Sequence, residues 1–370
     1  MSVSVESRAA VLFRPFALEQ LVLKNRIVMA PMTRRKSPGG VPGADVAAYY
    51  RRRAEGGVGL IVTEGTYIPH PGAGFYPDVP HFYGEQALAG WKRVVEEVHT
   101  AGGPIFPQIW HVGLTAPVDL NTGPGAVGPS GLLKPGEQIR EPMTQQEIDD
   151  VVRAFGEAAR SAEQLGFDGL EIHGAHGYLI DQFFWEGTNQ RTDLYGGDLV
   201  RRTHFAVQVI EEIRRHVSPG YPVCLRFSQW KLQDYSAKLA RTPQELERFL
   251  EPLSAAGIDI FHCSQRRFWE PEFEGSSLNL AGWTKKLTGK PAITVGSVTL
   301  NQEFTTSFRS PDTAAVTGIA DLLDRMDRGE FDLVAVGRSL IVNPDWPAIV
   351  RRGAIDELQP FQRDVLQQLA

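Results

Sequence analysis

The sequence predicts an α/β protein, a single (β/α)8 TIM barrel with extended loops at its C-terminal face. Three observations carry this. Short apolar, β-branched runs alternate with helical segments until eight strands have been laid down. No low-complexity linker or composition shift divides the series, and 370 residues suffice for one such barrel with insertions. Strict strand-then-helix alternation implies parallel strands joined by right-handed crossovers. We therefore expect one domain over residues 1–370, with the barrel proper at about 25–346.

The elements follow in order. Asn25 to Ala30 is the first strand, ending at Pro31-Met32-Thr33-Arg34, and Ala44 to Glu55 is a helix closed by Gly56-Gly57. Gly59 to Glu64 is the second strand. A long loop carrying Phe75, Tyr76, His81, Phe82 and Tyr83 leads to a helix at Glu85 to Thr100, and its length and aromatic content mark it as functional. Pro104 to His111 is the third strand. Thr144 and Glu147 have capping-box spacing and open a helix that runs to about Gly166. Phe167 to His173 is the fourth strand, followed by a loop and a helix from about Asp198 to His216. Tyr221 to Ser228 is the fifth; Thr242-Pro243-Gln244-Glu245 then offers an N-cap, a first-turn proline and a reciprocal glutamate for a helix to Ala256. Asp259 to Ser264, Pro291 to Ser297 and Phe331 to Gly337 complete the strands, with a helix at Pro311 to Arg328.

Composition narrows the function classes. A net charge of -6 argues against nucleic-acid or anionic-membrane surfaces, and no run approaches the roughly 18 apolar residues of a membrane span. Small-molecule partners and a cytoplasmic location are expected, the N-terminus having no apolar core of signal-peptide length. Cys224 and Cys263 sit in apolar strand-like runs, which suits buried packing, and two thiols cannot hold an iron–sulfur cluster.

In a barrel of this kind the working residues lie at the C-terminal ends of strands, with a phosphate site after strands seven and eight. Reading only those ends gives Pro31, Met32 and Thr33; Glu64 and Gly65; Gln108 and His111; His173, His176 and Tyr178; Arg226 and Ser228; Ser264; Gly296 and Ser297; and Gly337 and Arg338. The densest is Glu171-Ile-His-Gly-Ala-His-Gly-Tyr178, where two imidazoles and a phenol fall close together and Gly174 and Gly177 allow sharp turns. Metal binding by His173 and His176 would need a third ligand, for which Glu171 is the local candidate. Mutual hydrogen bonding in a loop and catalysis are the other readings.

Four motifs, Leu23-Lys-Asn-Arg-Ile-Val-Met-Ala-Pro-Met-Thr33, Glu171 to Tyr178, Arg191-Thr-Asp-Leu-Tyr-Gly-Gly197 and Val336-Gly-Arg338, resemble the Old Yellow Enzyme family in content and spacing. The likeness runs from about Leu12 to Trp346. It implies an FMN-dependent barrel that reduces activated alkenes with NAD(P)H. Ala30, Pro31, Met32 and Thr33 would run along the flavin, Thr33 near its C4 carbonyl and N5, with Gly65 and Gln108 also lining the ring. Arg226 would face the N1/C2 side, and Gly296, Ser297, Gly337 and Arg338 would hold the phosphate. The resemblance further implies that His173 and His176 grip a substrate carbonyl while Tyr178 donates a proton.

One phosphate site without a Gly-x-Gly-x-x-Gly motif points to non-covalent FMN. Many members have asparagine at the position of His176 and others histidine, while another subgroup has cysteine at that of Thr33, so the subgroup is mixed. The segment Gln265 to Leu280, with Arg266, Arg267, Phe268 and Trp269, matches no family pattern and is either a pocket wall or a solvated loop. The expected substrate is a small enone or enal, with self-association left open. A metal-dependent TIM-barrel hydrolase or aldolase using His173 and His176, and a non-catalytic flavin-binding protein, are the alternatives. Bound metal without flavin would mark the first; failure to turn over an enone would mark the second.

Overall fold

The computed structural model describes residues 8–115, 125–303, 306 and 313–369. Eight parallel strands close into a barrel in sequence order: β1 (Ile27–Met29), β2 (Leu60–Tyr67), β3 (Ile105–Trp110), β4 (Leu170–His176), β5 (Val223–Lys231), β6 (Ile260–Ser264), β7 (Ala292–Val295) and β8 (Leu333–Val336). The seam is β8 against β1, with Ala335 opposite Val28. Each strand is followed by a packing helix: α1 (Ala44–Glu55), α2 (Glu85–Thr100), α3 (Gln145–Leu165), α4 (His204–His216), α5 (Pro243–Ala256), α6 (Leu280–Thr288), α7 (Ala320–Asp327) and α8 (Trp346–Arg351).

The barrel interior is divided by chemistry. An antiparallel hairpin, Phe16–Leu18 with Leu21–Leu23, feeds into β1 and packs Phe16 and Leu23 with Val28, Leu60, Phe106, Ile260 and Leu333. That end is dry and apolar. Toward the C-terminal end, inward positions become Gln108, Glu171, Arg226 and His262, all nearly inaccessible.

Local signals behaved as their chemistry requires. The capping box of α3 is closed: Glu147 N–H donates to Thr144 Oγ1 at 3.3 Å and Thr144 N–H to Glu147 Oε2 at 2.7 Å. For α5 the cap forms with Thr242, but the glutamate reaches one residue further back, accepting from Arg241 N–H at 2.6 Å. Cys224 and Cys263 are free and buried.

Several boundaries differ from the sequence expectation. β4 does not break at His173 but continues to His176, because β5 itself extends to Lys231 and the two stay paired past a bulge between Gly174 and His176. The helix expected from Asp198 begins at His204, after a single 3-10 turn at Arg201–Thr203 whose first amide is capped by Asp198 Oδ1 at 2.9 Å. The helix expected from Pro311 to Arg328 covers only Ala320–Asp327; Ala314 and Val316 form bridges to Phe361 and Leu300, and the start of that expectation lies outside the described residues. Among the described residues four helices were not foreseen: α6, α8 and short ones at Leu179–Phe184 and Arg338–Val342.

Candidate active site

The deepest polar layer is built by strand register. Inward positions recur every second residue, so Glu171 and His173 of β4, Cys224 and Arg226 of β5, and His262 and Ser264 of β6 face one interior. Pairing sets His173 and His262 on either side of Arg226. Glu171 Oε1 accepts from Gln108 Nε2 at 2.8 Å and Oε2 bonds His262 Nδ1 at 2.7 Å. Burial pushes the Glu171 carboxyl up, yet His262, Arg226 and Gln108 together hold it below its ordinary value. Both oxygens are thus committed to protein groups, and the expectation that Glu171 might complete a metal site with His173 and His176 has no support here.

Above this layer stand the residues of the histidine-tyrosine motif. His173 stacks on Trp110 with centroids 5.8 Å apart, and His176 on Trp230 at 4.6 Å. Burial first, then the charge of Arg226, lowers both histidines well below the ordinary value, so each is neutral at pH 7 and acts as a hydrogen-bond group, not a cation. His176 Nε2 lies 2.7 Å from Ser264 Oγ, which also accepts from Arg226 Nη2 at 3.3 Å. The hydroxyl has a second lone pair besides the one the arginine occupies, so Ser264 ties His176 Nε2 to Arg226 in one short chain.

Tyr178 is held by the turn that precedes it. His176 has φ 66° and Gly177 φ 82°, a left-handed pair that reverses the chain at the end of β4. Asp181 Oδ2 accepts from Gly177 N–H at 2.7 Å, and its Oδ1 pairs with Lys231 Nζ at 2.7 Å, both side chains being fully buried. Glycine was expected to permit the turn at Gly174 and Gly177; the histidine itself takes one of the two strained positions. The Tyr178 ring packs edge-on against Trp110 and His173, each at 4.9 Å. Among the described residues its hydroxyl has no protein hydrogen bond, and burial raises it above the ordinary tyrosine value, so it stays protonated at neutral pH.

A cavity of about 610 Å3 opens over these groups. His173, His176, Tyr178, Gln108 and Arg226 line its floor; Ala30, Pro31, Met32 and Thr33, from the end of β1, line one side. Gly296, Ser297, Gly337 and Arg338 close the β7–β8 end. Of the strand-end residues, Glu64, Gly65, His111 and Ser228 are not on this surface; Gly65 lies under Trp110, and a Cβ there would come within 2.5 Å of the indole. Its smallness makes room for the tryptophan that backs His173. Trp110, Trp230, Tyr76 and Arg266 line the cavity as well and were not assigned from sequence. An aromatic within the last residues of an inward-facing strand was the available signal. Of the aromatic loop after β2, Tyr76 reaches the cavity, whereas Phe82 is buried beside Trp91 and Phe167.

The two ends of the cavity suit different chemistry. A guanidinium carries five N–H donors, yet among the described residues Arg226 spends one, on Ser264, and its buried Nε has no partner; His173 Nδ1 likewise has none. Buried donors of that kind fit a planar heterocycle rich in acceptor atoms. At the far end Gly296 has φ 130° and a Cβ there would sit 2.6 Å from Gln265 O, so only glycine fits. Arg338 is anchored by donation to Gln302 O at 2.5 Å and Glu303 O at 3.3 Å, and burial pulls it down to about 10, still a cation at neutral pH. A second cavity of about 670 Å3, between Ser130, Met143 and Arg191, lies away from the strand ends, and its arginine is already bonded to Pro129 O, Met143 O and Asp193.

A parallel barrel with an under-bonded arginine on the cavity floor, neutral imidazoles, a protonated phenol and a glycine-arginine cradle at β7–β8 defines a flavin-dependent oxidoreductase. Residues 11–357 match the NADH:flavin oxidoreductase / NADH oxidase family, and the chain belongs to it, the Old Yellow Enzyme family whose motifs it carries. FMN is the cofactor and NAD(P)H the reductant of this family. The 12-oxophytodienoate reductase 7 of Oryza sativa subsp. japonica is 40% identical over 362 residues, covering 91% of this chain and 87% of that protein. An NADH oxidase of Thermoanaerobacter brockii is 35% identical over 359 residues, covering 94% of this chain; the chain spans about half, 52%, of that relative's length. Among solved structures, morphinone reductase in complex with tetrahydroNAD superposes with a TM-score of 0.79 at 29% identity, covering 96% of this chain and 93% of the other. Among the described residues no helix is long and apolar enough to cross a membrane.

Proposed function

We propose that this protein is an ene-reductase that reduces the C=C bond of small α,β-unsaturated carbonyl compounds. Non-covalently bound FMN would supply the redox chemistry, hydride transfer from NAD(P)H to the alkene β-carbon. The chain's own residues do the rest. Arg226 would offer its spare donors to the pyrimidine side of the ring, with Gln108 beside it; Ala30, Pro31, Met32 and Thr33 would lie along it; Gly296, Ser297, Gly337 and Arg338 would hold the phosphate through backbone amides and one guanidinium. His173 and His176, both neutral, bind the substrate carbonyl oxygen, each through a ring N–H. Such donors aimed at developing negative charge typically contribute on the order of 10²-fold in rate or more. Tyr178 delivers a proton to the α-carbon as it gains electron density.

The observation that carries this reading is the convergence, on one cavity floor, of a protonated, unbonded phenol with two imidazoles that cannot act as cations. A flavin sensor would need neither. Anaerobic incubation with NAD(P)H and 2-cyclohexenone tests it: the expected product is cyclohexanone, formed in proportion to reductant consumed. Flavin reduction without any consumption of several enones and enals would contradict it.

A further inference from the structure

Glu171 and His262 are fully buried, lie inside the barrel two residues deeper than the cavity floor, and have no part in the function above. A carboxylate and an imidazole here sit next to the apolar end of the barrel interior formed by Val28, Leu60, Ile260 and Leu333, and a buried charge is costly unless another charge meets it. Arg226 is that charge. His262 is its register partner on β6, and Glu171 precedes by two residues its register neighbour on β4, His173.

The geometry is not that of a closed ion pair. Glu171 gives one oxygen to Gln108 and the other to His262, with Cys224 Sγ 3.6 Å from the latter, while Arg226 bonds only Ser264. The carboxylate sits on β4 opposite Cys224, two residues before Arg226 on β5, and its charge is the main influence opposing the loss of Arg226's proton on burial. Its hydrogen-bonding capacity is directed elsewhere. This leaves Arg226 its donors for the cavity.

We propose that Glu171, held by His262 and Gln108, is a charge-setting residue: its carboxylate offsets part of the Arg226 charge and so lowers the reduction potential that Arg226 alone would impose on bound flavin. The inference rests on flavin lying over Arg226 and is independent of the substrate. Glu171→Gln removes the charge and keeps the shape. Reconstituted with FMN, this variant should shift the flavin reduction equilibrium at least tenfold toward the reduced form, about 30 mV for a two-electron couple. The apoprotein should show the same factor as a change in its preference for reduced over oxidised FMN, measured as the ratio of dissociation constants. His262→Phe should move the potential in the same direction, because a carboxylate stripped of its partner takes up a proton, whereas His262→Gln retains an N–H donor and should stay near the native value. If Glu171→Gln does not fold, the two His262 variants carry the test. An unchanged or lowered potential in both Glu171→Gln and His262→Phe would overturn the proposal. Arg226→Met should lower the potential; no change there would remove the flavin from over Arg226 and the proposal with it, whereas a drop there with no rise in Glu171→Gln would defeat this inference alone.

Discussion

Lys231→Met isolates the charge pair that holds the turn before Tyr178. Lys231 Nζ and Asp181 Oδ1 are 2.7 Å apart with both side chains fully buried, and Lys231 also donates to Ser228 O at 3.1 Å. Burial already raises the Asp181 carboxyl with the lysine in place, so removing the cation leaves a charge the interior cannot hold. Breaking one side of such a pair costs about 3–5 kcal/mol. A chain of 370 residues loses roughly 0.8 kcal/mol of stability per degree near its midpoint, which makes this a drop of roughly 4–6 °C in Tm. The double variant Asp181→Leu, Lys231→Met removes both charges and should recover about half of that, keeping a deficit of about 1–3 kcal/mol because Gly177 N–H loses its acceptor. The rate should not recover. With Asp181 gone, the His176-Gly177 reversal is unrestrained, and a displacement of Tyr178 of about 1 Å costs up to about 10²-fold. Thermal unfolding by circular dichroism, with enone-dependent flavin reoxidation, reads both effects. Equal Tm losses in single and double variants, or full reoxidation rate in the double, would refute the reasoning.

Arg338→Ala should release FMN on desalting, since the variant removes the only guanidinium expected at the phosphate; full retention of flavin absorbance would argue against that assignment. His173→Ala with His176→Ala should abolish the long-wavelength charge-transfer band that a phenolate ligand forms with oxidised flavin, and a band of undiminished intensity would remove both histidines from oxygen binding. Glu64 gives a pH test. Its Oε2 accepts from Arg34 and Arg35 N–H at 2.8 and 3.1 Å, yet burial pushes the carboxyl up to about 7. The raised value means the folded state holds this proton more tightly than the unfolded chain, a contribution present at low pH and lost as pH rises through about 7. Relative to Glu64→Gln, the native protein should therefore lose about 3 kcal/mol between pH 4 and pH 8, measured by urea unfolding; a constant difference would show the carboxylate is not strained.

How much of this was legible depended on whether the determinant was local. Helix starts such as Thr144 and Thr242 were readable because a cap, the backbone N–H it accepts from and the glutamate lie within four residues. Strand existence was readable from apolar runs, and the strand-end rule brought thirteen of the named residues to one cavity. The lengths of β4 and β5 were not, because each is extended by the other: His176 pairs with Lys231 across a bulge that neither segment announces. Nor could α7 be placed, since the stretch before it is held by bridges from Ala314 to Phe361 and from Val316 to Leu300. The stacking tryptophans Trp110 and Trp230, and the Glu171–His262 contact at a separation of 91 residues, come from register between strands. Arg266 shows the same limit. It lines the cavity and its guanidinium lies 5.3 Å from the Tyr235 ring, which places the segment after β6 at the pocket wall.

The central claim is that Tyr178 is the proton donor of an alkene reduction, and Tyr178→Phe examined by anaerobic stopped-flow tests it most directly. The phenylalanine keeps the edge-on contacts with Trp110 and His173, so packing survives and only the hydroxyl is lost. Flavin reduction by NAD(P)H should proceed at close to the native rate, because no proton from the phenol enters that half-reaction. Reoxidation by 2-cyclohexenone should slow by roughly 10²-fold or more, the usual contribution of a general acid. Both half-reactions running at native rates would contradict the account, and both slowing equally would assign Tyr178 to packing instead.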